Sequence, residues 1–362
     1  MKIKPFRLER WLLKKAEIDL GGGGITKLTL NEVLDELPTK HQMKYGRTDG
    51  SDAIKARISE WFNNIEYNRI LVTSGTSEAN LLVNYTLLEP GDHYLTENPQ
   101  YEQTTRFVES LGVKTTEFQL REPSWKPDIT ELAENTTKKT KIIFIDNPNN
   151  PTGALLTRGE MKAICEIAED VDAYVHCDNA LRGSELSGTP AETPLRYYEK
   201  AIVTGSISKM GATSPRIGWI IADPKTIKNC WNTKDYTTLG HSGLGEIIAI
   251  KILDMREKLI TRNLAISQRN NETLKKWVEE NENVTITPPI AGFTGFPKYK
   301  HDTPSEQLCR ELLKEKKVLL SPGTYFGKEG YLRINTGSNN EALAEGLSRL
   351  GEYLKEGKHS EY

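Results

Sequence analysis

The sequence predicts an α/β fold in which a mainly parallel sheet is covered by helices on both faces. Two observations lead to this prediction: short apolar runs typical of strands alternate with helical stretches, and polar motifs directly follow several of these runs. Such alternation is typical of βαβ units. Ligands of such sheets bind at the carboxyl ends of the strands. The strand-like runs are 69–73, 93–95, 141–146, 173–178, 201–205 and 217–222.

Helical patterns at 77–88, 101–111 and 158–170 separate these runs, and the pattern changes after about residue 245. A long helical stretch over 246–280 is predicted to break near Arg262 or Gln268. Strand candidates follow at 284–286, 292–296 and 318–321, and a final helix is predicted at 340–356. A chain of 362 residues suits one large and one smaller domain. We predict an N-terminal arm at 1–44 that completes the small domain, a large domain at 45–250 and a small α/β domain at 251–362.

Charge and cysteine usage restrict the possible partners. The chain has 48 basic and 50 acidic residues, so its net charge of −2 gives no electrostatic reason to expect nucleic acid or an anionic membrane as a partner. Its four cysteines form no C-x-x-C pair, and no metal site is predicted. The N-terminus lacks the apolar run of a secretory signal. We therefore expect a cytoplasmic protein with reduced thiols.

Two motifs after strand-like runs are candidates for ligand contacts. Ser74-Gly75-Thr76-Ser77 opens a predicted helix, where backbone N–H groups and hydroxyls can hold a phosphate. The same residues are also typical of an ordinary helix N-cap. The turn 146–153, which reads DNPNNPTG, contains two X-Pro bonds and a glycine. It is either a plain turn or part of a site.

Four charged residues lie where chemistry would need them. Asp178 ends a buried run, where a carboxylate requires a cation or hydrogen bonds. Lys209 follows another run and is either a solvated surface charge or a partly buried amine that can form an imine. Arg216 could bind a phosphate. Arg333 lies within an apolar run and faces either a substrate carboxylate or a structural ion pair. His176 is expected to be packed or hydrogen-bonded.

The glycine run 21–24 has two interpretations. A run of glycines can bring backbone close to a ligand, or it can act as a flexible linker. From the residues alone the linker is favoured.

Taken in order, the turn 146–153, Asp178 and Ser206-Ile207-Ser208-Lys209 resemble the aspartate aminotransferase superfamily, the class I/II enzymes that use pyridoxal 5′-phosphate (PLP) and have the type I fold. The resemblance runs from about Tyr45 to the last helix. It implies a mainly parallel seven-stranded sheet in the large domain and an amino acid substrate. It also implies a homodimer with shared active sites.

The resemblance further implies roles for individual residues. Lys209 would hold PLP as an imine and move the substrate α-proton, and Asp178 would pair with the pyridinium nitrogen. Tyr101 would stack on the ring and belong to the catalytic set. Arg333 would bind the substrate α-carboxylate together with Asn150. The other implied cofactor contacts are Gly75, Thr76, Asn150, Ser206, Ser208, Arg216 and, from the neighbouring subunit, Tyr45.

Two departures from the family pattern affect these expectations. The family reads Asp-x-x-Tyr, in which the tyrosine hydroxyl bonds the phenolic oxygen of PLP, but this chain has Leu181 at that position. Efficient transamination is therefore less secure. The spacing from Lys209 to Arg216 is also one residue shorter than the family pattern, which weakens the assignment of Arg216.

The N-terminus resembles capreomycidine synthase-like members of the superfamily, which cyclise hydroxylated arginine. The resemblance rests on Leu8-Glu9-Arg10-Trp11 and on residues 18–24. It implies that Gly23 lines the active site and that Glu9 contacts a guanidinium group. Alternatively, Glu9 and Arg10 simply solvate a helix.

Three hypotheses follow for the activity. The first is an aminotransferase that acts on an L-amino acid through an imine on Lys209. The second is a PLP-dependent lyase or cyclase that acts on an arginine-derived substrate by β/γ-elimination. The third, a PLP-binding regulator, is disfavoured because the chain has no basic DNA-binding extension. A nucleotide-dependent dehydrogenase is rejected because no G-x-G-x-x-G motif follows an early strand.

Overall fold

The computed structural model describes residues 3–36, 38–42 and 44–355. The helices are α1 Arg7–Trp11, α2 Asp52–Trp61, α3 Thr76–Leu87, α4 Gln103–Ser110, α5 Ile129–Asn135, α6 Arg158–Asp170, α7 Pro224–Lys234, α8 Gly243–Asp254, α9 Arg256–Glu279, α10 Ser305–Lys316 and α11 Asn340–Lys355. The strands are β1 Ile18–Asp19, β2 Ile70–Thr73, β3 His93–Asn98, β4 Lys114–Arg121, β5 Lys126–Pro127, β6 Thr140–Asp146, β7 Tyr174–Asp178, β8 Ala201–Ser206, β9 Gly218–Ile221, β10 Val284–Thr285, β11 Thr294–Gly295, β12 Lys298–Tyr299, β13 Val318–Leu319, β14 Ser321–Pro322 and β15 Leu332–Asn335.

The central sheet has the strand order β2-β9-β8-β7-β6-β3-β4-β5. All of its strands run parallel except β9 and β5, which are antiparallel to their neighbours. The predicted α/β fold is confirmed. Within the described residues the sheet contains the seven expected strands and adds the two-residue edge strand β5.

Both faces of the sheet are buried, as in other parallel sheets. Along β6 successive side chains enter different clusters: Ile143 and Ile145 pack into one hydrophobic core, and Ile142 and Phe144 pack into the other. Each of these four side chains is at most 3% exposed. The helices that cover the sheet begin at ordinary caps, such as the Thr157 hydroxyl that accepts from the Glu160 N–H at the start of α6.

The N-terminal segment packs on the C-terminal part of the chain. Strand β1 pairs in parallel with β13, which joins residues 18–19 to residues 318–319. Leu20 continues this packing and approaches Gly346 of α11, where an added Cβ would lie 2.5 Å from the Leu20 side chain. The predicted domain boundaries remain predictions, but this pairing is what an arm that completes the small domain would make.

One element prediction needs correction. The long helical stretch over 246–280 is interrupted at Met255, whose φ of −93° and ψ of 5° leave helical geometry, and not near Arg262 or Gln268. The final helix is described as far as Lys355, so its predicted last residue lies outside the described residues. Among the described residues, every helix is too short or too polar to cross a membrane.

Candidate active site

A cavity of about 480 Å³ opens at the carboxyl ends of β6, β7 and β8. It brings together most of the residues that the sequence singled out. Among the described residues, Gly75 and Tyr45 are the two predicted site residues that do not line it. The predicted residues that do line it are Glu9, Gly23, Thr76, Tyr101, Asn150, Asp178, Ser206, Ser208, Lys209, Arg216 and Arg333.

Lys209 is held inside this cavity by a short 3₁₀ turn, Ile207–Met210, that directly follows β8. Its side chain is half-buried, and its Nζ donates to the carbonyl oxygen of Gly23 over 2.5 Å. Burial, followed by the positive charges of Arg333 and Lys27, lowers the pKa of Lys209 to about 8. About a tenth of this amine is therefore unprotonated at pH 7, far more than for a free lysine with a pKa of about 10.4.

The glycine run 21–24 is held by contacts with distant residues and lines the cavity at Gly23, so the linker interpretation was wrong. The carbonyl oxygen of Gly21 accepts from the Ser321 hydroxyl over 2.7 Å and from Arg333 Nη2 over 2.6 Å. A Cβ at Gly23 would lie 3.1 Å from Arg333 Nη1. These contacts leave little space for a side chain at Gly23, which explains why glycine occurs where the backbone reaches Lys209.

Asp178 ends β7 with its carboxylate 8% exposed. One carboxylate oxygen accepts from Asn80 Nδ2 over 2.8 Å, and the other accepts from the Ala180 N–H over 2.9 Å. Burial raises the pKa of this carboxyl group above its ordinary value. A cation facing Asp178 would favour its ionised form.

A chain of buried polar groups orients Asn80 toward Asp178. The Thr204 hydroxyl donates to Asn80 Oδ1 over 2.7 Å, and His176 Nε2 lies 3.2 Å from the Thr204 hydroxyl. Burial lowers the pKa of His176 to about 3, so the ring is neutral. Sequence reasoning expected a packed His176 but missed Asn80 and Thr204. The position of Asn80, one helical turn after Thr76, could have indicated it.

Two further acids lie beside Asp178. Asp146 is its direct neighbour in the register of β6 and β7, and Glu97 lies near the end of β3, the next strand. Glu97 Oε1 accepts from the Asp146 N–H over 2.9 Å and from Asn149 Nδ2 over 2.8 Å. Burial raises the pKa of Glu97 to about 8. Burial, with the charges of Asp178 and Glu97, raises the pKa of Asp146 well above its ordinary value.

The start of α3 has the features of an anion site. Gly75 precedes the helix with φ 85° and ψ 172°, and a Cβ there would lie 2.5 Å from Arg216 Nη2. The Thr76 hydroxyl is buried without a hydrogen-bond partner in the described structure. The exposed Arg216 donates from Nη1 to the Thr213 carbonyl oxygen over 3.2 Å. It also donates from Nη2 to the Ser74 carbonyl oxygen over 3.4 Å. The shortened spacing after Lys209 therefore still brings Arg216 to this helix start.

The rest of the anion site comes from the segment between β8 and Lys209. Ser206, 6% exposed, ends β8, and its hydroxyl accepts from the Ser208 N–H over 3.3 Å. Both serines line the cavity with Thr76. Hydroxyls, backbone N–H groups at a helix start and a guanidinium form a donor set that suits a phosphate.

Arg333 crosses the opposite side of the cavity and is 2% exposed. Besides its bond to Gly21, it donates from Nη1 to Asn150 Oδ1 over 3.2 Å, and its guanidinium lies 4.6 Å from the centre of the Phe326 ring. Its Nε is buried without a partner, and it forms no ion pair within the described part of the chain. Burial lowers its pKa to about 10. The structural ion pair considered from the sequence is therefore absent there.

Tyr101 and Glu9 connect the N-terminal helix to the cavity. The Tyr101 hydroxyl donates to Glu9 Oε1 over 2.6 Å, and its ring meets Phe6 edge-on at 5.0 Å between centroids. Burial, together with the charge of Glu9, raises the pKa of Tyr101 well above its ordinary value, so the phenol stays protonated. Glu9 thus places a carboxylate at the cavity.

Leu181 departs from the family pattern inside the cavity, and Tyr45 lies outside the cavity of its own chain. Leu181, 4% exposed, lines the cavity where the resemblance implies a tyrosine and packs with Ile25 and Phe293. Tyr45 is 80% exposed, away from the cavity of its own chain.

Comparisons with known proteins agree with this arrangement. The model of the family aminotransferase class I and II matches residues 15–350. Capreomycidine synthase from Streptomyces vinaceus is 25% identical over 365 residues, covering 96% of this chain and 93% of that protein. Aspartate aminotransferase from Pyrococcus horikoshii is 27% identical over 338 residues, covering 91% of this chain and 86% of that protein.

Solved structures extend the comparison to the fold. A PLP-dependent aminotransferase from Streptococcus suis superposes with a TM-score of 0.93 and 32% identity, covering 99% of this chain and 100% of that one. The PLP-dependent cyclase OrfR superposes with a TM-score of 0.90 and 25% identity, covering 98% of each chain. Similarity therefore extends to proteins named for two different reactions.

The donor set of the cavity fits PLP. The buried, unpartnered Thr76 hydroxyl and the guanidinium of Arg216 beside Gly75 suit its phosphate, and the buried carboxylate of Asp178 suits its protonated ring nitrogen. The half-buried amine of Lys209 suits its aldehyde carbon. The chain belongs to the aminotransferase class I and II family and is a PLP-dependent enzyme.

Proposed function

We propose that this enzyme transfers the amino group of an L-amino acid to a 2-oxo acid. The observation that carries the proposal is Arg333, a buried guanidinium without a carboxylate partner in the described structure that faces the same cavity as Lys209. A buried arginine without a counter-charge is costly unless a ligand supplies one. A substrate α-carboxylate is that ligand in this proposal, with Asn150 beside it.

The cofactor contacts follow from the same geometry. When bound, PLP supplies an electron sink for the charge that develops at the substrate α-carbon. Asp178, oriented by Asn80, would hold the proton on the ring nitrogen, and Asn150 Nδ2 would donate to the phenolic oxygen because its Oδ1 already accepts from Arg333. Tyr101 would cover the ring. The phosphate would be held by Gly75, Thr76, Ser206, Ser208 and Arg216.

Lys209 would carry the proton between substrate atoms. Its pKa of about 8 makes it a fair base near neutral pH, because it is neither fully protonated nor weakly basic. The Gly23 carbonyl oxygen, 2.5 Å from Nζ, orients the amine toward the cavity. The 3₁₀ turn fixes its backbone directly after β8, which pairs with β7, the strand that ends at Asp178.

One guanidinium group of this chain's cavity is available to a substrate carboxylate. The described lining contains two guanidinium groups, and Arg216 already lies at the proposed phosphate site beside Ser74. That leaves Arg333 for the α-carboxylate of the substrate. Glu9 adds a negative charge at the cavity and favours a side chain that is positive or rich in donors.

Glu9 and Leu181 support a second candidate, a cyclase that acts on an arginine-derived substrate. Glu9 presents a carboxylate at the side of the cavity where its partner is Tyr101, and a guanidinium would pair with it well. Leu181 supplies no hydroxyl to the phenolic oxygen. Elimination and amino transfer share the loss of the α-proton, so these residues favour the alternative without excluding the first proposal.

One experiment separates the two reactions. The purified enzyme would be incubated with a panel of L-amino acids, including arginine and its hydroxylated forms, with and without 2-oxoglutarate, and products would be identified by mass spectrometry. Stoichiometric formation of glutamate supports amino transfer. A product that forms without the oxo acid and lacks the mass of water supports the cyclase. In either case Arg333→Gln should raise KM for the amino acid substrate far more than Arg310→Gln, a control on the exposed face of α10.

We also propose that the enzyme acts as a homodimer in which Tyr45 reaches the phosphate site of the partner subunit. The exposure of Tyr45, at 80%, and of Tyr236, at 92%, supports the proposal because a partner subunit that covered these side chains would remove apolar surface from water. Light scattering should give twice the chain mass of 40.8 kDa. Tyr45→Phe should weaken PLP binding while leaving that mass unchanged.

A further inference from the structure

We propose that a second cavity, formed by residues 62–69 and 182–196, binds a small divalent oxyanion such as a phosphate or a dicarboxylate. This arginine cavity has a volume of about 470 Å³. Among the described residues, its lining shares none with the lining of the PLP cavity. Its cationic groups are Arg69, Arg182 and Arg196.

The three guanidinium groups come from separate segments of the chain. Arg69 lies directly before β2, Arg182 lies in the loop after β7, and Arg196 ends the 3₁₀ turn Pro194–Arg196. None of the three forms an ion pair with a described carboxylate, although many arginines elsewhere in this chain do. With 50 acidic and 48 basic residues, the chain does not lack possible partners. Three guanidinium groups without a described ion-pair partner therefore converge at this cavity.

Arg182 is the fixed member of the cluster. It donates from Nη1 to the Ala191 carbonyl oxygen over 3.3 Å and from Nη2 to the Trp61 carbonyl oxygen over 3.2 Å. Its guanidinium lies 4.5 Å from the centre of the Phe62 ring. The pKa of Arg182 lies below its ordinary value, mainly because the side chain is buried. The charge of Glu185 opposes this shift, and repulsion by Arg196 adds to it.

Arg69 and Arg196 are the members with free donors. Arg69 uses only its Nε, which donates to the Ala222 carbonyl oxygen over 3.1 Å, so both of its terminal nitrogens remain for a ligand. Arg196 is exposed and makes no hydrogen bond to the described residues. A planar guanidinium with two free N–H groups binds a carboxylate or phosphate through two parallel hydrogen bonds.

The acids near the cavity are already engaged. Glu192 lines it, and its carboxylate accepts from the Tyr197 hydroxyl over 2.8 Å. Glu185 is 3% exposed, and its oxygens accept from the Gly183 N–H over 2.7 Å and from the Ala191 N–H over 2.8 Å. These two carboxylates already accept hydrogen bonds from other groups, and they stand against three guanidinium groups. The cavity therefore keeps a net positive charge. A divalent oxyanion would relieve the repulsion among the arginines and occupy their free donors.

Calorimetry on the PLP-loaded enzyme tests the proposal. In that form the cofactor fills the phosphate site near Thr76, so inorganic phosphate can be titrated against the second cavity. Succinate is titrated against PLP-loaded Arg333→Gln, because Arg333 would offer a carboxylate a second site in the PLP cavity. We expect saturable binding of at least one of them, with one site per chain. The anion that binds more tightly identifies the ligand as a phosphate or a dicarboxylate.

Variants at the free arginines locate the binding. Arg69→Ala together with Arg196→Ala should weaken it at least tenfold. Arg69→Ala together with Arg196→Lys should recover only part of the loss, because an ammonium lacks the two parallel N–H groups of a guanidinium. Arg310→Ala, which removes one positive charge on α10, should change nothing. An unchanged PLP absorbance and unfolding temperature would verify that each variant is folded. No saturable binding of either anion, or equal binding by the double variant, would overturn the proposal. The latter outcome would assign the anion to the active site.

Discussion

The Nζ atom of Lys209 lies 2.5 Å from the carbonyl oxygen of Gly23 and donates a hydrogen bond to it, although the two residues are 186 positions apart in the sequence. The N-terminal segment therefore forms part of the surroundings of the lysine. Its position also brings the charge of Lys27 close enough to affect Lys209. The basicity of this amine depends on a segment that precedes every strand of the central sheet.

This relationship predicts how the apo-enzyme takes up PLP. Only the unprotonated amine can attack the aldehyde, so the rate of uptake should rise through a midpoint near pH 8, the pKa of Lys209. A free lysine would give a midpoint near 10.4. Lys27→Ala should move the midpoint upward because it removes a positive charge that disfavours protonation of Lys209. Lys27→Arg keeps the charge and should not. The absorbance change on PLP addition measures the rate, and equal midpoints in the two variants would contradict the argument.

The buried acid Glu97 predicts a pH dependence of stability. Its pKa is raised to about 8 in the folded chain, against about 4.3 when unfolded. Between these values the unfolded state releases the proton that the folded state keeps, so the free energy of unfolding falls as pH rises, by up to about 1.4 kcal/mol per pH unit. The contribution is fully present below about pH 4.3 and is lost toward pH 8.

Glu97→Gln tests this directly. The glutamine oxygen can still accept from Asp146 N–H and Asn149 Nδ2, but it has no proton to lose. Urea unfolding of the apo-enzyme should therefore show a smaller loss of stability between pH 5 and pH 8 in the variant than in the wild type. Asp146 and Asp178 titrate in both proteins, so only the difference is informative. Glu134→Gln, at an exposed position of α5, serves as the control. Parallel pH profiles for Glu97→Gln and wild type would refute the assignment.

Much of the fold and site could be predicted because the decisive signals are local. A buried strand is an apolar run, and its carboxyl end is marked by the polar residue that follows, as at Asp178 and Asp146. Strand β4, by contrast, was not predicted. Most of its residues are polar, and only Phe118 and Leu120 are buried, because the strand lies near the edge of the sheet.

The errors have physical causes that the local sequence does not contain. Gly21 is held by Ser321 and Arg333, which are 300 and 312 positions away in the sequence. Nothing near the glycine run therefore distinguished a cavity wall from a linker. The break at Met255 carries no glycine or proline. Thr204 was missed for a similar reason, since its contact with Asn80 joins a strand and a helix that meet only in the folded chain.

A substitution at Gly75 can distinguish the effect of a strained backbone from the effect of a steric clash with Arg216. Its φ of 85° and ψ of 172° belong to a region that is essentially restricted to glycine, and an added Cβ would lie 2.5 Å from Arg216 Nη2. Gly75→Ala should therefore displace Arg216 and weaken PLP binding roughly tenfold or more, which is about 1.4 kcal/mol. Gly188→Ala also places a side chain at positive φ, but it meets no atom within 4 Å. Fluorescence titration with PLP should show a loss only for Gly75→Ala. Equal affinities would mean that Arg216 does not contribute to the phosphate site.

Variants at Leu181 test whether the missing tyrosine changes the protonation of the phenolic oxygen of bound PLP. Leu181→Tyr would add a hydroxyl at the cavity wall, where it could donate to the phenolic oxygen of PLP and stabilise the anionic form of that oxygen. Leu181→Phe adds the same ring without the hydroxyl. It is the matched control, because it crowds Ile25 and Phe293 as the tyrosine does. Absorbance titration of the two PLP-loaded variants should give a lower midpoint pH for tyrosine than for phenylalanine. If the midpoints coincide while both variants bind PLP, the position does not reach the phenolic oxygen, and the missing tyrosine cannot explain any loss of transamination.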